Sequence, residues 1–259
     1  MEFFDSHSHY NDKVYEEDIK EVLHAIYEGG VTKTVTIGYN IEKSQKAIEL
    51  ANQYDFLYAT VGIHPSDIEK DEKGILEQVE ELRKLSLNKK IVAIGEIGLD
   101  YYWHKENKEL QKFAFIKQIE LANKLQLPIV IHSRDAIMDT IDILNSANKP
   151  RFSGILHCCV LNKDLIKTGL EIGLYISFAG PITFKNTKNI DIIKEIPNER
   201  LLIETDCPYL SPEPNRGKRN DSRNIKFIAQ KIADIKGISV EEIANITYTN
   251  AMNVFRLKE

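Results

Sequence analysis

Residues 127–134 read Leu-Pro-Ile-Val-Ile-His-Ser-Arg, a short run of apolar, largely β-branched side chains that ends on a histidine. Upstream, the stretch 109–125 carries Phe115, Ile119 and Ala122 on one helical face, leaving Lys117, Glu120 and Lys124 for solvent. Downstream, 136–145 again has helical character. An apolar strand between two helices is the unit of a parallel sheet buried on both faces. The unit recurs along the chain. Strands are expected at 3–5, 34–37, 58–62, 91–94, 128–131, 154–156, 174–177 and 201–204. Helices are expected at 16–28, 42–53, 77–87, 109–125, 136–145, 163–172, 187–195 and 222–235. Gly237 is placed to end the eighth helix, and Ser239 with Glu242 reads as a capping box opening another. Strict alternation with right-handed crossovers favours a single (β/α)8 TIM-type barrel over residues 1–259. An open doubly wound sheet is the competitor, because closure is invisible in sequence.

A chain of 259 residues suits one such barrel, which takes about 250. A net charge of −5 excludes a molecule that binds nucleic acid through its overall charge. Phosphate recognition would need local positive groups or bound cations. Three cysteines, two of them adjacent at Cys158 and Cys159, make no disulfide framework and point to reduced thiols. The start, MEFFDSHSH, has neither a basic nor a long apolar segment, and no apolar run is long enough to span a bilayer. The expectation is a soluble cytoplasmic monomer with no membrane partner.

Chemistry-bearing residues gather where the expected strands end. His7 and His9 follow the first strand, His64 the third, His132 the fifth and His157 the sixth. Glu96 ends the fourth and Asp206 the eighth. Barrel active sites are built at that face from several strands, so residues distant in sequence converge. His7 and His9, two apart in extended backbone, point to the same side. Four histidines with Glu96 and Asp206 form a mixed nitrogen and oxygen donor set, suited to Zn, Mn, Fe or Co more than to Mg. Six donors exceed one tetrahedral site, and Glu96 can bridge two cations. His24 and His104 read as structural. Cys158 and Cys207, each next to a ligand on a strand, are expected to face the helix layer.

These residues carry a resemblance. Asp5-Ser6-His7-Ser8-His9, Gly62-Ile63-His64-Pro65, Gly95-Glu96-Ile97-Gly98-Leu99-Asp100-Tyr101, His132-Ser133-Arg134 and Glu204-Thr205-Asp206-Cys207-Pro208-Tyr209-Leu210 resemble the successive motifs of the TatD family of metal-dependent deoxyribonucleases. Pro214-Asn215-Arg216-Gly217-Lys218-Arg219-Asn220 extends the match, so it runs in order from residue 5 to residue 220. The resemblance implies that His7, His9, Glu96 and Asp206 bind one divalent cation, and that Glu96, His132 and His157 bind a second. Their identity, Mg, Mn or Zn, stays open. Two departures stand out. His157-Cys158-Cys159 replaces the family's usual His-Cys-Phe, which changes the pocket wall, and Asn220-Asp221-Ser222 replaces the common Asn-Glu-Pro.

The expected reaction is hydrolysis of DNA phosphodiesters by water activated between two cations, with Glu96 and Asp206 as catalytic carboxylates and Asp206 the general base. The resemblance implies 3′–5′ exonuclease action on single-stranded ends, with RNA left open. Arg216, Lys218, Arg219 and Arg223, in the loop leaving the eighth strand, are candidate phosphate contacts, and Arg134 and His64 are further substrate contacts. Tyr101, Tyr102 and Trp103 can stack on unpaired bases. The same barrel can also hydrolyse an aminoacyl ester, as a D-aminoacyl-tRNA deacylase does, or a small ester or lactone.

Overall fold

Eight strands pair in parallel and in chain order: β1 (Phe3–Ser8), β2 (Val31–Thr36), β3 (Leu57–Val61), β4 (Ile91–Asp100), β5 (Ile129–Arg134), β6 (Gly154–Leu156), β7 (Tyr175–Phe178) and β8 (Leu201–Ile203). The structure, a computed structural model, describes residues 1–146 and 149–258. Closure comes from the segment after β8. Asp206 N–H donates to the His7 carbonyl (2.9 Å) and His9 N–H donates to the Cys207 carbonyl (2.7 Å). The expected barrel is therefore present, and the open sheet is excluded.

Helices alternate with the strands: α1 (Ile19–Glu28), α2 (Ile41–Ala51), α3 (Glu72–Leu85), α4 (Lys108–Leu125), α5 (Ile137–Asn145), α6 (Lys163–Glu171), α7 (Ile192–Glu195), α8 (Ile225–Lys236) and α9 (Val240–Val254). Their starts follow local chemistry. Asn40, Asp71, Asn162 and Ser239 each accept a backbone N–H of the first turn of α2, α3, α6 and α9. Such caps contribute about 1 kcal/mol each. Gly237 ends α8 in the left-handed conformation (φ 71°), where a side chain would be strained.

Two apolar cores lie on either side of the strands. Phe4, Val35, Val92, Val130, Ile155, Tyr175 and Leu202 come from seven different strands and form one cluster, with Tyr58 of β3 packed against it. Only the interior of a closed sheet brings all eight strands together. Met252 and Phe255, at the end of α9, complete this cluster and plug one end of the barrel. The larger cluster packs helices against the outer wall, for example Phe115 and Ile119 of α4 with Ile94 and Ile97 of β4.

Two expectations change. The seventh helix, expected over 187–195, is a single turn at Ile192–Glu195. Asn186, Thr187 and Asn189 are weak helix formers, and Asn189 takes a left-handed conformation (φ 57°). Strands β1, β4 and β5 also run further than expected. His7, Glu96 and His132 therefore lie within strands, not past their ends, whereas His9, His157 and Asp206 follow them. The pairing register shifts on β1 between Asp5 and Ser8, and on β4 between Ile94 and Ile97. Such irregularities re-aim side chains, and both fall where ligand candidates sit.

Candidate metal centre

The six residues converge. His7 and His9 from β1, Glu96 from β4, His132 from β5, His157 after β6 and Asp206 after β8 meet at one end of the barrel. Asp206 reaches it in the left-handed conformation (φ 55°), which aspartate tolerates better than most residues. Glu96 stands at the centre. Its Oε2 lies 3.5 Å from His7 Nε2, on the side of His9 and Asp206. Its Oε1 lies 2.9 Å from His132 Nδ1 and 3.2 Å from His157 Nε2. The carboxylate thus divides its two oxygens between two donor sets.

These separations suit cations. Ligand atoms about 2.0–2.2 Å from a metal, at tetrahedral to octahedral angles, stand roughly 2.8–3.6 Å apart. His7 Nε2 is 3.2 Å from His9 Nε2, His9 Nε2 is 3.1 Å from Asp206 Oδ1, and His7 Nε2 is 3.5 Å from Asp206 Oδ1. His9 to Glu96, at 3.9 Å, is wider. Two imidazole nitrogens aimed at each other in a buried site share at most one hydrogen bond, while oxygens of Glu96 and Asp206 crowd the same nitrogens. A shared cation satisfies both. Burial raises the Glu96 carboxyl, but His157, His132 and His7 outweigh it and hold the pKa well below the usual range. Burial likewise raises Asp206, and His9, His157 and His7 bring it below its ordinary value. Both stay anionic at neutral pH, as ligands must.

Behind the ligands stand three carboxylates that sequence reasoning did not single out. Glu204, fully buried, accepts from His157 Nδ1 (2.9 Å) and from Cys158 N–H (2.6 Å). Asp100 Oδ2 lies 3.0 Å from His132 Nε2, while its Oδ1 accepts the N–H groups of Tyr102 and Trp103. Asp5 accepts the N–H groups of His7 and Thr205 and the hydroxyls of Thr205 and Ser222, so it ties β1 to the segment that carries Asp206. Outer partners of this kind fix the ring orientation of ligating histidines. Each sits inside a motif already quoted, next to or near a ligand, and that proximity was the available signal. Ser222, one of the two departures from the family pattern, supplies one of the two hydroxyls that hold Asp5.

His64 has a different role. Burial and the neighbouring His132 push its pKa down to about 3, so the ring is neutral. Its Nδ1 accepts the Ser66 N–H (3.1 Å), which leaves the proton on Nε2. That N–H, 3.8 Å from Glu96 Oε1, is a donor facing the cavity and not a lone pair for a metal.

The centre opens into a cavity of about 1000 Å³. His64 and Arg134 line it, as expected of substrate contacts. The other proposed contacts are elsewhere. Tyr101 is buried, with its hydroxyl donating to Asp139, and Trp103 lines the cavity instead. Arg216, Lys218 and Arg219 do not line it. The Arg219 fork is engaged by Asp18, Arg216 lies over the Phe184 ring, and Arg223 is held by Asp221. Cysteine placement divides too. Cys207 is buried in the outer core as expected. Cys158 instead lines the cavity, because β6 ends at Leu156 and strand alternation no longer applies; its φ is 40°. Cys159, in place of the usual aromatic, lines the same wall.

Comparison with known proteins supplies independent findings. The sequence profile of a family described as TatD related DNase matches residues 4–256. The chain is 43% identical over 256 residues to YabD, a metal-dependent hydrolase of Bacillus subtilis, across 98% of this chain and 99% of that one. It is 34% identical over 261 residues to YcfH, a metal-dependent hydrolase of Escherichia coli, across 99% and 97%. Among solved structures it is similar to YJJV, a TatD homologue of Escherichia coli, with a TM-score of 0.91 and 26% identity over 99% of this chain and 98% of that one.

Proposed function

The chain belongs to the TatD-related DNase family of metal-dependent hydrolases, and on that premise we propose that it hydrolyses phosphodiester bonds of DNA, shortening single strands from the 3′ end. The observation that carries this reading is Glu96, whose Oε2 faces His7 and whose Oε1 faces His132 and His157 beside an open cavity. On this reading His7, His9, Glu96 and Asp206 hold one divalent cation, and Glu96, His132 and His157 hold a second. Bound there, two cations neutralise the phosphate and acidify the attacking water. The mixed donors favour Mn or Zn over Mg.

The side chains around them have distinct tasks. Asp206, kept ionised and steadied by His9, accepts the proton of the attacking water. The Nε2–H of His64 donates to a phosphate oxygen, where negative charge builds up in the transition state. Trp103, largely exposed at the rim, offers a face to an unpaired base. A recess among barrel loops admits a single strand more readily than a duplex.

End-labelled single-stranded DNA, incubated with metal-stripped protein to which Mg²⁺, Mn²⁺ or Zn²⁺ is restored, tests the proposal. Stepwise 3′ shortening that needs the metal and is lost in Asp206→Asn is the expected result. No shortening in any of the three, with the cations shown to bind, would overturn it and move the site to an ester substrate such as aminoacyl-tRNA.

A further inference from the structure

The cavity walls are electrically unequal. Towards β2 and β3 the charged lining residue outside the metal centre is Asp67, which accepts from Asn40. Towards β5 and β7 the corresponding residues are both cations: Arg134, the last residue of β5, and Lys188, between β7 and α7. Among the described residues neither forms an ion pair, whereas Arg219 and Arg223 are each taken up by an aspartate. Arg134 packs against two aromatic rings, its guanidinium carbon 4.0 Å from the centre of Tyr102 and 5.6 Å from that of Trp103. Cation–π contact steadies the guanidinium and consumes none of its N–H donors, which can still meet an anion. Lys188 is exposed on a wall shaped by the left-handed turn at Asn189.

We propose that Arg134 and Lys188 form a phosphate-binding wall separate from the metal centre, so that the substrate is a polyanionic strand carrying at least two phosphodiesters. This rests on the phosphodiesterase reading and names its substrate class. Neither cation forms an ion pair with Glu96, Asp100 or Asp206, so both charges are available to a phosphate other than the one the metal centre would take. They meet the next phosphate along the strand. A cavity of about 1000 Å³ is at the upper end for small-ligand sites and has room for more than one nucleotide. On this proposal a lone diester at the metals leaves the wall unused.

The test uses a fluorescein-labelled ten-residue thymidine oligonucleotide and fluorescence anisotropy over a series of salt concentrations. Measurements are made on Asp206→Asn, to prevent turnover, with and without Lys188→Ala, Lys188→Arg or Arg134→Ala. Losing one phosphate contact on a single strand flattens the slope of log affinity against log salt by about 0.7. Lys188→Ala and Arg134→Ala should each show that change, with affinity at least about fivefold weaker, and Lys188→Arg should restore the slope. With Asp206 intact, Lys188→Ala should reduce kcat/KM at least about fivefold more on the oligonucleotide than on bis(p-nitrophenyl) phosphate, which has one diester. An unchanged slope, or equal losses on both substrates, overturns the wall. Wild-type protein that binds the oligonucleotide through this wall but cleaves no diester would refute the phosphodiesterase reading alone.

Discussion

Replacing Glu204 with glutamine should weaken divalent-cation binding about tenfold to a hundredfold while the barrel stays folded. The size of the effect follows from the geometry. Glu204 is fully buried, and Oε1 alone accepts from both His157 and Cys158, while Oε2 has no partner among the described residues. Glutamine keeps an oxygen for both donors and sets its amide where Oε2 stood. The perturbation is therefore the loss of one negative charge behind a ligating imidazole. A factor of ten to a hundred corresponds to about 1.4–2.8 kcal/mol, and full burial, with no solvent to screen the charge, favours the upper half. The pH dependence is the sharper part. Burial lowers the His157 pKa, but Glu204 and Glu96 together carry it well above its usual value. A proton on His157 competes with a cation, so wild-type affinity climbs as pH rises through that raised pKa. Without Glu204 the ring loses its proton at lower pH, and the variant's affinity levels off sooner. The gap between the two proteins should thus be smallest at low pH, where both rings carry a proton, and widest at a pH above the raised wild-type pKa. Competition between the protein and a chelating dye for Mn²⁺ or Zn²⁺ measures it, with thermal melting as the check on folding. Equal affinities at the higher pH would refute the claim that Glu204 tunes His157.

Other predictions bear on the frame around the centre. Gly98 has φ 139°, and a Cβ there would stand 2.0 Å from the His132 carbonyl oxygen. Gly98→Ala should cost at least about 3 kcal/mol and lower Tm by roughly 6–12 °C; a shift below about 2 °C would show that β4 and β5 can part without harm. Burial pushes the Asp5 carboxyl up from 3.8 to about 7. The folded chain then holds a proton that the unfolded chain has released, so stability falls as pH rises through that window. Asp5→Asn should remove this slope in urea unfolding under excess chelator, and parallel pH curves for the two proteins would contradict it. Arg219, occupied by Asp18, should tolerate alanine with oligonucleotide KM changed less than about twofold, whereas a tenfold rise would place it on the substrate after all.

Much of this molecule is legible in its sequence, for a local reason. The run Ile129–Ile131 ending on His132, repeated in kind seven times over, depends on side-chain type and strand geometry, which neighbouring residues set. Hence the eight strands, their alternation with helices and the six residues that converge could be read before any coordinates, whereas closure into a barrel could not. Boundaries were less secure where irregular pairing extended β4 past Glu96 to Asp100, since a register shift is a property of two strands and not of one.

What only the tertiary structure decided concerns partners distant along the chain. Arg219 reads as a free cation beside a ligand-bearing strand until α1 brings Asp18 against it. Glu204 reads as one more residue of β8 until the turn after β6 sets His157 and Cys158 on its oxygen. Lys188 sits in a stretch expected to be helical, yet the left-handed turn at Asn189 leaves it on the cavity wall. Sequence alone determined which groups could carry charge and which strands would deliver them. Which charges are cancelled and which stay free to meet a ligand was decided by folding, because an ion pair depends on distance in space and that distance is unrelated to separation along the chain.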